Sequence, residues 1–218
     1  MKKILYLLSA LIFVSASAFA GDISLTYPGI KDFSQVSTSG SWDVTIKQGK
    51  EYTIKVTAPD SIIDKVQVMK ENGTLLIGLE STGFWNWTSK TLRAEITMPN
   101  LSALESSGSG NTTFSGFTTK NMEIHTSGSS NVKGEQNKIQ KLSLRTSGSS
   151  DISLVKSSIT NADIHISGSS NIQLTMNGGD LTGDISGSGS IVYYGNAKTQ
   201  STTIFGSGNV THRDKDAH

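Results

Sequence analysis

Thr126-Ser127-Gly128-Ser129-Ser130-Asn131 returns as Thr146-Ser147-Gly148-Ser149-Ser150-Asp151 and again as Ile166-Ser167-Gly168-Ser169-Ser170-Asn171. The pivotal glycines of the full series are Gly108, Gly128, Gly148, Gly168, Gly187 and Gly206, at intervals of 20, 20, 20, 19 and 19 residues. A fixed period of this size marks a solenoid, in which each repeat is one rung that buries its apolar face only against its neighbours. The spacing therefore predicts an all-β solenoid with one rung in about 20 residues.

Aligning the rungs on their glycines turns the sequence into stacked columns. Leu104, Ile124, Leu144, Ile164, Gly183 and Thr202 stand four before the glycines, and Thr112, Val132, Ile152, Ile172, Ile191 and Val210 stand four after. Both columns are expected in the core. Ser106, Thr126, Thr146, Ile166, Ile185 and Ile204, two before, share the strand parity of the first column and should also face inward. Each glycine falls where one strand ends and the next begins, a corner that calls for a positive φ or a close backbone approach. A phosphate-binding loop would need a helix start or a Lys-Ser/Thr pair after the glycine, and none follows.

Two polar columns remain. Asn111, Asn131, Asp151, Asn171, Ser190 and Asn209, three past the glycines, are placed to form a ladder at the ~4.8 Å rung spacing, satisfying corner backbone groups that strands do not reach. One carboxylate in that column is too few for calcium. Glu105, His125, Arg145, His165, Asp184 and Thr203, three before, should face outward as a solvated polar face. His125 and His165 are two rungs apart, too far for shared metal coordination at about 9–10 Å. With Glu105, Asp151 and Asp184 scattered over columns and rungs, no carboxylate pair suits glycoside hydrolysis, and no catalytic residue, metal site or cofactor is expected.

The N-terminal half holds the pattern once. Val36, Gly40, Asp43, Val44 and Ile46 fit core, corner, ladder and second-strand positions, and the next such glycine is Gly108. Between them, strand-like alternation runs over 52–58, through Val66 and Val68, through Leu75, Ile77 and Leu79, and over 92–98. Residues 30–100 are thus read as an elaborated section of one domain (21–211), able to cap the open end of the repeats at 101–211, with a charged tail at 212–218. Phe84, Trp85 and Trp87 lie in the longest polar gap of this section. They either stack on a glycan or partner, or fold back over the solenoid end, and the need to cover that end favours the second.

Lys2, Lys3, the apolar run 4–14 and Ala18-Phe19-Ala20 read as a secretory signal cleaved before Gly21. The run is too short for a membrane span, and no later stretch is long enough. Loss of the two lysines takes the formal charge from +1 to −1, which excludes a general attraction to nucleic acid or anionic membranes. With no cysteine, stability must come from packing and hydrogen bonds.

Phe33-Ser34-Gln35-Val36, Ser39-Gly40-Ser41-Trp42-Asp43-Val44, Ile96-Thr97-Met98-Pro99-Asn100-Leu101 and the SGSG/SGSS-Asn elements together resemble the head GIN domain of putative auto-transporter adhesins, over about residues 30–211. The resemblance implies a right-handed parallel β-helix-like fold in an exported Gram-negative protein, periplasmic, at the cell surface or secreted. It carries no catalytic residues with it. The expected role is a non-enzymatic, adhesin-like binding module for a glycan or surface protein, with a structural or self-assembling envelope protein as the alternative and a polysaccharide-cleaving enzyme behind both. No translocator barrel is recognisable.

Overall fold

The computed structural model describes residues 21–80 and 92–214. They form one 17-stranded sheet wound into a β-solenoid of about six turns, with no α-helix among the described residues. The regular strands are β8 (Ala103–Gly108), β9 (Asn111–Ser115), β10 (Thr118–Gly128), β11 (Asn131–Gly148), β12 (Asp151–Gly168), β13 (Asn171–Asn177), β14 (Asp180–Gly187), β15 (Ser190–Asn196), β16 (Thr199–Gly206) and β17 (Asn209–Arg213). All pair in parallel, rung on rung, and every glycine of the series sits opposite the glycine of the next rung. The sequence period is therefore the pairing register.

Within one turn the in–out alternation slips near Glu135-Gln136, Gln140-Lys141 and Gly148-Ser149, where consecutive residues fail to be buried. At the first of these Gln136 takes φ +56°, and the neighbouring buried Asn137 accepts from the Phe117 backbone N–H and donates to the Phe114 carbonyl and Ser157. At the glycine corner φ is +116° in Gly148 and +122° in Gly168. Both expected reasons for glycine hold there, because a Cβ at Gly148 would stand 2.2 Å from the Gly128 carbonyl oxygen.

The apolar columns are buried through the middle of the stack, whereas Gly183, Thr202 and Val210, their last members, are only partly buried. Leu104, Ile124, Leu144 and Ile164 lie inside, facing Val132, Ile152, Ile172 and Ile191. Ser106, Thr126 and Thr146 are buried as well, with Ile166 and Ile185 after them. Ile204 departs from this column and is exposed, since the turn that contains it has no further rung on its outer side among the described residues. The sequence columns omitted Ser130, Ser150 and Ser170, two past the glycine, which are fully buried. Ser170 bonds Thr146 Oγ1 at 2.7 Å and accepts from the Ser150 backbone N–H, a side chain filling the inside of the corner.

The ladder forms, and its bonds run chiefly along the column. Asn111 donates to Asp43 at 2.8 Å, Asn131 to Asn111 at 3.0 Å, Asn171 to Asp151 at 3.0 Å and Ser190 to Asn171 at 2.8 Å. Asn209 leaves the ladder for Thr211. Most corner backbone groups do not depend on these side chains: the N–H groups of Ser129, Ser149 and Ser169 bond the glycine carbonyls of the preceding rung at 2.8 Å. Where the corner keeps its strand-like stacking, backbone reaches backbone, and the ladder side chains mainly tie one another, with Asn131 Oδ1 also accepting from the Asp151 backbone N–H at 3.4 Å.

The N-terminal section wraps the start of the stack. β2 (Gln35–Gly40) and β3 (Trp42–Gln48) pair with β8 and β9, with Gly40 opposite Gly108, as the isolated pattern around Gly40 predicts. On their other side lie β6 (Thr74–Leu79) and β7 (Leu92–Met98), also parallel. The chain thus inserts a rung ahead of its own first rung. That rung is closed by antiparallel strands, β5 (Val66–Glu71) on β6 and β4 (Thr53–Pro59) with β1 (Asp22–Thr26) on β7. Among the described residues this end is capped by strands, whose reversed direction stops the parallel stack. Phe84, Trp85 and Trp87, and the signal segment 1–20, lie outside the described residues. At the other end the charged tail starts later than expected: His212 and Arg213 belong to β17, where His212 stacks on Tyr193 at 4.7 Å and bonds the Gly195 carbonyl. No helix of the described residues is long and apolar enough to cross a membrane.

Candidate functional site

Residues of odd offset before the corner glycines all point outward from one side of the solenoid, because strand parity alternates faces. The column one before the glycine is Ser107, Ser127, Ser147, Ser167 and Ser186, and the column three before is Glu105, His125, Arg145, His165 and Asp184. Between them runs a shallow groove of about 390 Å³, floored by Ser106, Thr126, Thr146 and Ile166. The outward polar column is thus one wall of a groove rather than only a solvated face. Hydroxyls repeat along one wall at Ser127, Ser147, Ser167 and Ser186, while the other carries three basic side chains, His125, Arg145 and His165, between the acids Glu105 and Asp184.

The groove is most structured at His165. Its Nδ1 meets Asp184 Oδ2 from the next rung, and its Nε2 lies 3.1 Å from Asp163 Oδ2, two residues earlier on the same strand and face. Asp163 also accepts from Thr182 at 3.0 Å. Partial burial works against a charged imidazole, but the hydrogen bonds to Asp184 and then Asp163 outweigh it and raise the His165 pKa. Desolvation likewise opposes ionisation of Asp163, and the bonds from His165 and Thr182 overcome it, holding that carboxyl below its ordinary range. Arg145, one rung back, donates to Ser143 at 2.8 Å and otherwise faces the groove. His125 lies 3.9 Å from Glu123.

This cluster corrects the expectation that carboxylates do not gather. Asp163 and Asp184 come together because one is two residues before His165 in β12 and the other is its partner across the β12–β14 pairing. The signal was available in the outward columns read side by side, where Asp163 stands five before its glycine. The arrangement is a clasp, since each carboxylate takes one ring nitrogen and neither nitrogen remains free to act as a base on a serine. The oxygens aim at protons on opposite edges of the ring and share no common centre. Among the described residues no group of His, Cys, Asp or Glu is placed to hold a metal ion.

The clasp makes a pH-dependent contribution whose sign follows from the two shifts. A raised histidine pKa gives stability that is complete below the ordinary imidazole range and is lost as pH rises through the raised value. A lowered aspartate pKa gives stability present above the ordinary carboxylate range and lost as pH falls through the lowered value. The melting-temperature gap between the parent and His165→Gln should therefore be widest at about pH 5–6 and narrow toward both pH 9 and pH 2. Thermal melts across that range check it, and a flat gap would mean the imidazole carries no charge in the fold.

A second shallow surface of about 610 Å³ runs over the Asn ladder, lined by Asn131, Lys133, Asp151, Asn171 and Gln173 among others. Its ladder amides and hydroxyls already bond one another, which leaves it fewer free donors than the serine groove.

A family model described as "Putative auto-transporter adhesin, head GIN domain" matches residues 32–175 and 155–218. Among solved structures, a putative adhesin from Bacteroides fragilis NCTC 9343 superposes with a TM-score of 0.71 at 18% identity, covering 89% of this chain and 98% of that one. A putative lipid binding protein from Parabacteroides distasonis ATCC 8503 gives 0.56 at 21% identity, over 89% and 97% of the two chains. A putative adhesin from Parabacteroides merdae ATCC 43184 gives 0.55 at 17%, again over 89% and 97%. At these identities the likeness is one of fold. No curated protein sequence matches the chain.

Proposed function

The chain belongs to the head GIN domain family of putative auto-transporter adhesins, and from that membership we propose that it is an exported, adhesin-like binding module without enzymatic activity, whose contact surface is the serine groove. One observation carries the reading: a groove with the hydroxyls of Ser127, Ser147, Ser167 and Ser186 repeating rung by rung on one wall and three bases, His125, Arg145 and His165, between the acids Glu105 and Asp184 on the other. At ~4.8 Å per rung, such a wall repeats donors and acceptors at a spacing suited to an extended polyhydroxylated chain. The occupant of that chemistry is a glycan, free or carried on a surface protein. The mixed signs of Glu105, Arg145 and Asp184 match a neutral ligand better than a strongly charged one.

Catalysis is the weaker reading for a stated chemical reason. Glycoside hydrolysis needs a protonated carboxylic acid beside a carboxylate, whereas the hydrogen bonds from His165 and Thr182 hold Asp163 in its ionised form. The likeness to a putative lipid binding protein, at 21% identity, is one of fold and carries no ligand to this groove.

Glycan-array binding with protein lacking residues 1–20 tests the proposal. Arg145→Ala with Ser147→Val should weaken the best array ligand at least about tenfold, about 1.4 kcal/mol, with the melting temperature nearly unchanged. Full binding by that variant would move the contact surface elsewhere, with Trp85 and Trp87 the next residues to alter. Turnover of any polysaccharide that a single carboxylate substitution abolishes would overturn the non-enzymatic reading.

A further inference from the structure

The two ends of the stack differ. At the first, antiparallel β5, β4 and β1 close the inserted rung. At the other, β16 pairs with β14 and β17 with β15, and no described strand pairs with their outer edges. The outer edge of a strand is a row of free backbone donors and acceptors, and proteins blunt it with charges, proline or bulges. β16 reads Thr-Gln-Ser-Thr-Thr-Ile-Phe-Gly, with no charge and no proline, and its register with β14 runs without a shift. Ile204 is 40% and Phe205 66% exposed there, two of the three large exposed apolar side chains of the described residues.

We infer that β16 is a pairing edge and that its partner is β16 of a second copy of this chain, the two strands antiparallel and the solenoids joined tail to tail. Charge selects that partner. At the open end β17 carries Arg213, whereas the strands that close the first end carry Asp22 in β1 and Lys70 and Glu71 in β5. Head-to-tail stacking would lay the neutral β16 beside those charged edges, desolvating them without a counter-charge. A second β16 brings no charge, sets threonine and isoleucine side chains across from one another, and covers Ile204 and Phe205. The reversed β5, β4 and β1 also block indefinite growth, and an isologous contact closes at two copies.

Sedimentation equilibrium of the protein lacking residues 1–20 tests this. The parent should show a monomer–dimer equilibrium, and Thr203→Lys with Phe205→Lys, both at exposed positions, should weaken it more than tenfold while the dilute protein keeps its melting temperature. Mixing Thr203→Lys with Thr203→Glu should restore a dimer containing one copy of each, a result that loss of folding cannot mimic. A parent that stays monomeric at millimolar concentration would overturn the inference, and so would a dimer indifferent to the lysines. Glycan binding through the groove is a separate readout, since Thr203 and Phe205 lie beyond the residues that line it.

Discussion

Gly148→Val is expected to destabilise the protein by at least about 2 kcal/mol and as much as 4–5, the range reserved for strain at a special backbone position combined with a packing clash. Two separate costs meet at this residue. The backbone stands at φ +116°, where an L side chain is strained whatever space surrounds it, and the new Cβ would be 2.2 Å from the Gly128 carbonyl oxygen with the Gly128 nitrogen at 3.1 Å. That oxygen accepts the Ser149 N–H, so moving it away breaks a corner hydrogen bond. Gly168 faces Gly148 in the same way, so the disturbance spreads along the stack. Gly178 supplies the control: its φ is +88°, but nothing lies within 4 Å of where its Cβ would be. Gly178→Val should therefore cost only the strain, and chemical denaturation of the two variants separates stacking from φ. Equal effects at both glycines would show that rung contact contributes nothing.

The second large effect is expected at Ile152 and Ile172. They are register partners on adjacent strands, both essentially inaccessible to solvent. Each substitution by alanine should cost about 2–5 kcal/mol, the lost transfer energy plus a cavity that parallel neighbours cannot readily close. Because the two side chains share one column, the double variant should differ from the sum of the singles by about 0.5 kcal/mol or more. Denaturant midpoints of the four proteins check this, and strict additivity would mean that the column does not pack as a column.

Which properties were open to a sequence reader follows from how far apart the interacting residues lie in repeat terms. The glycine series carried the rung length, the parallel register and the buried columns, because in a solenoid position n always meets position n ± 20 or 19, and strand parity then decides inside from outside. The Gly40 segment was recognisable as a rung for the same reason. Its neighbours were not: that β6 and β7 stack ahead of it, and that β5, β4 and β1 reverse direction to close the end, depends on contacts without a period. The buried serines at Ser130 and Ser170 share the strand parity of Val132 and Ile172 and escaped because they are polar, so a column drawn on apolar residues passed over them. The His165 clasp combines a partner two residues away with one on the next rung, so it exists only when two columns are read together with the real register. Ile204 repeats the pattern of Ile166 and Ile185 yet is exposed, since burial of a rung belongs to its neighbour and no described strand lies beyond β16. The sequence by itself determined the repeating unit and which residues stack, because those interactions recur at one spacing; where the stack begins, how it is closed and which end stays open were decided by the tertiary structure, because termination happens once and leaves no period to read.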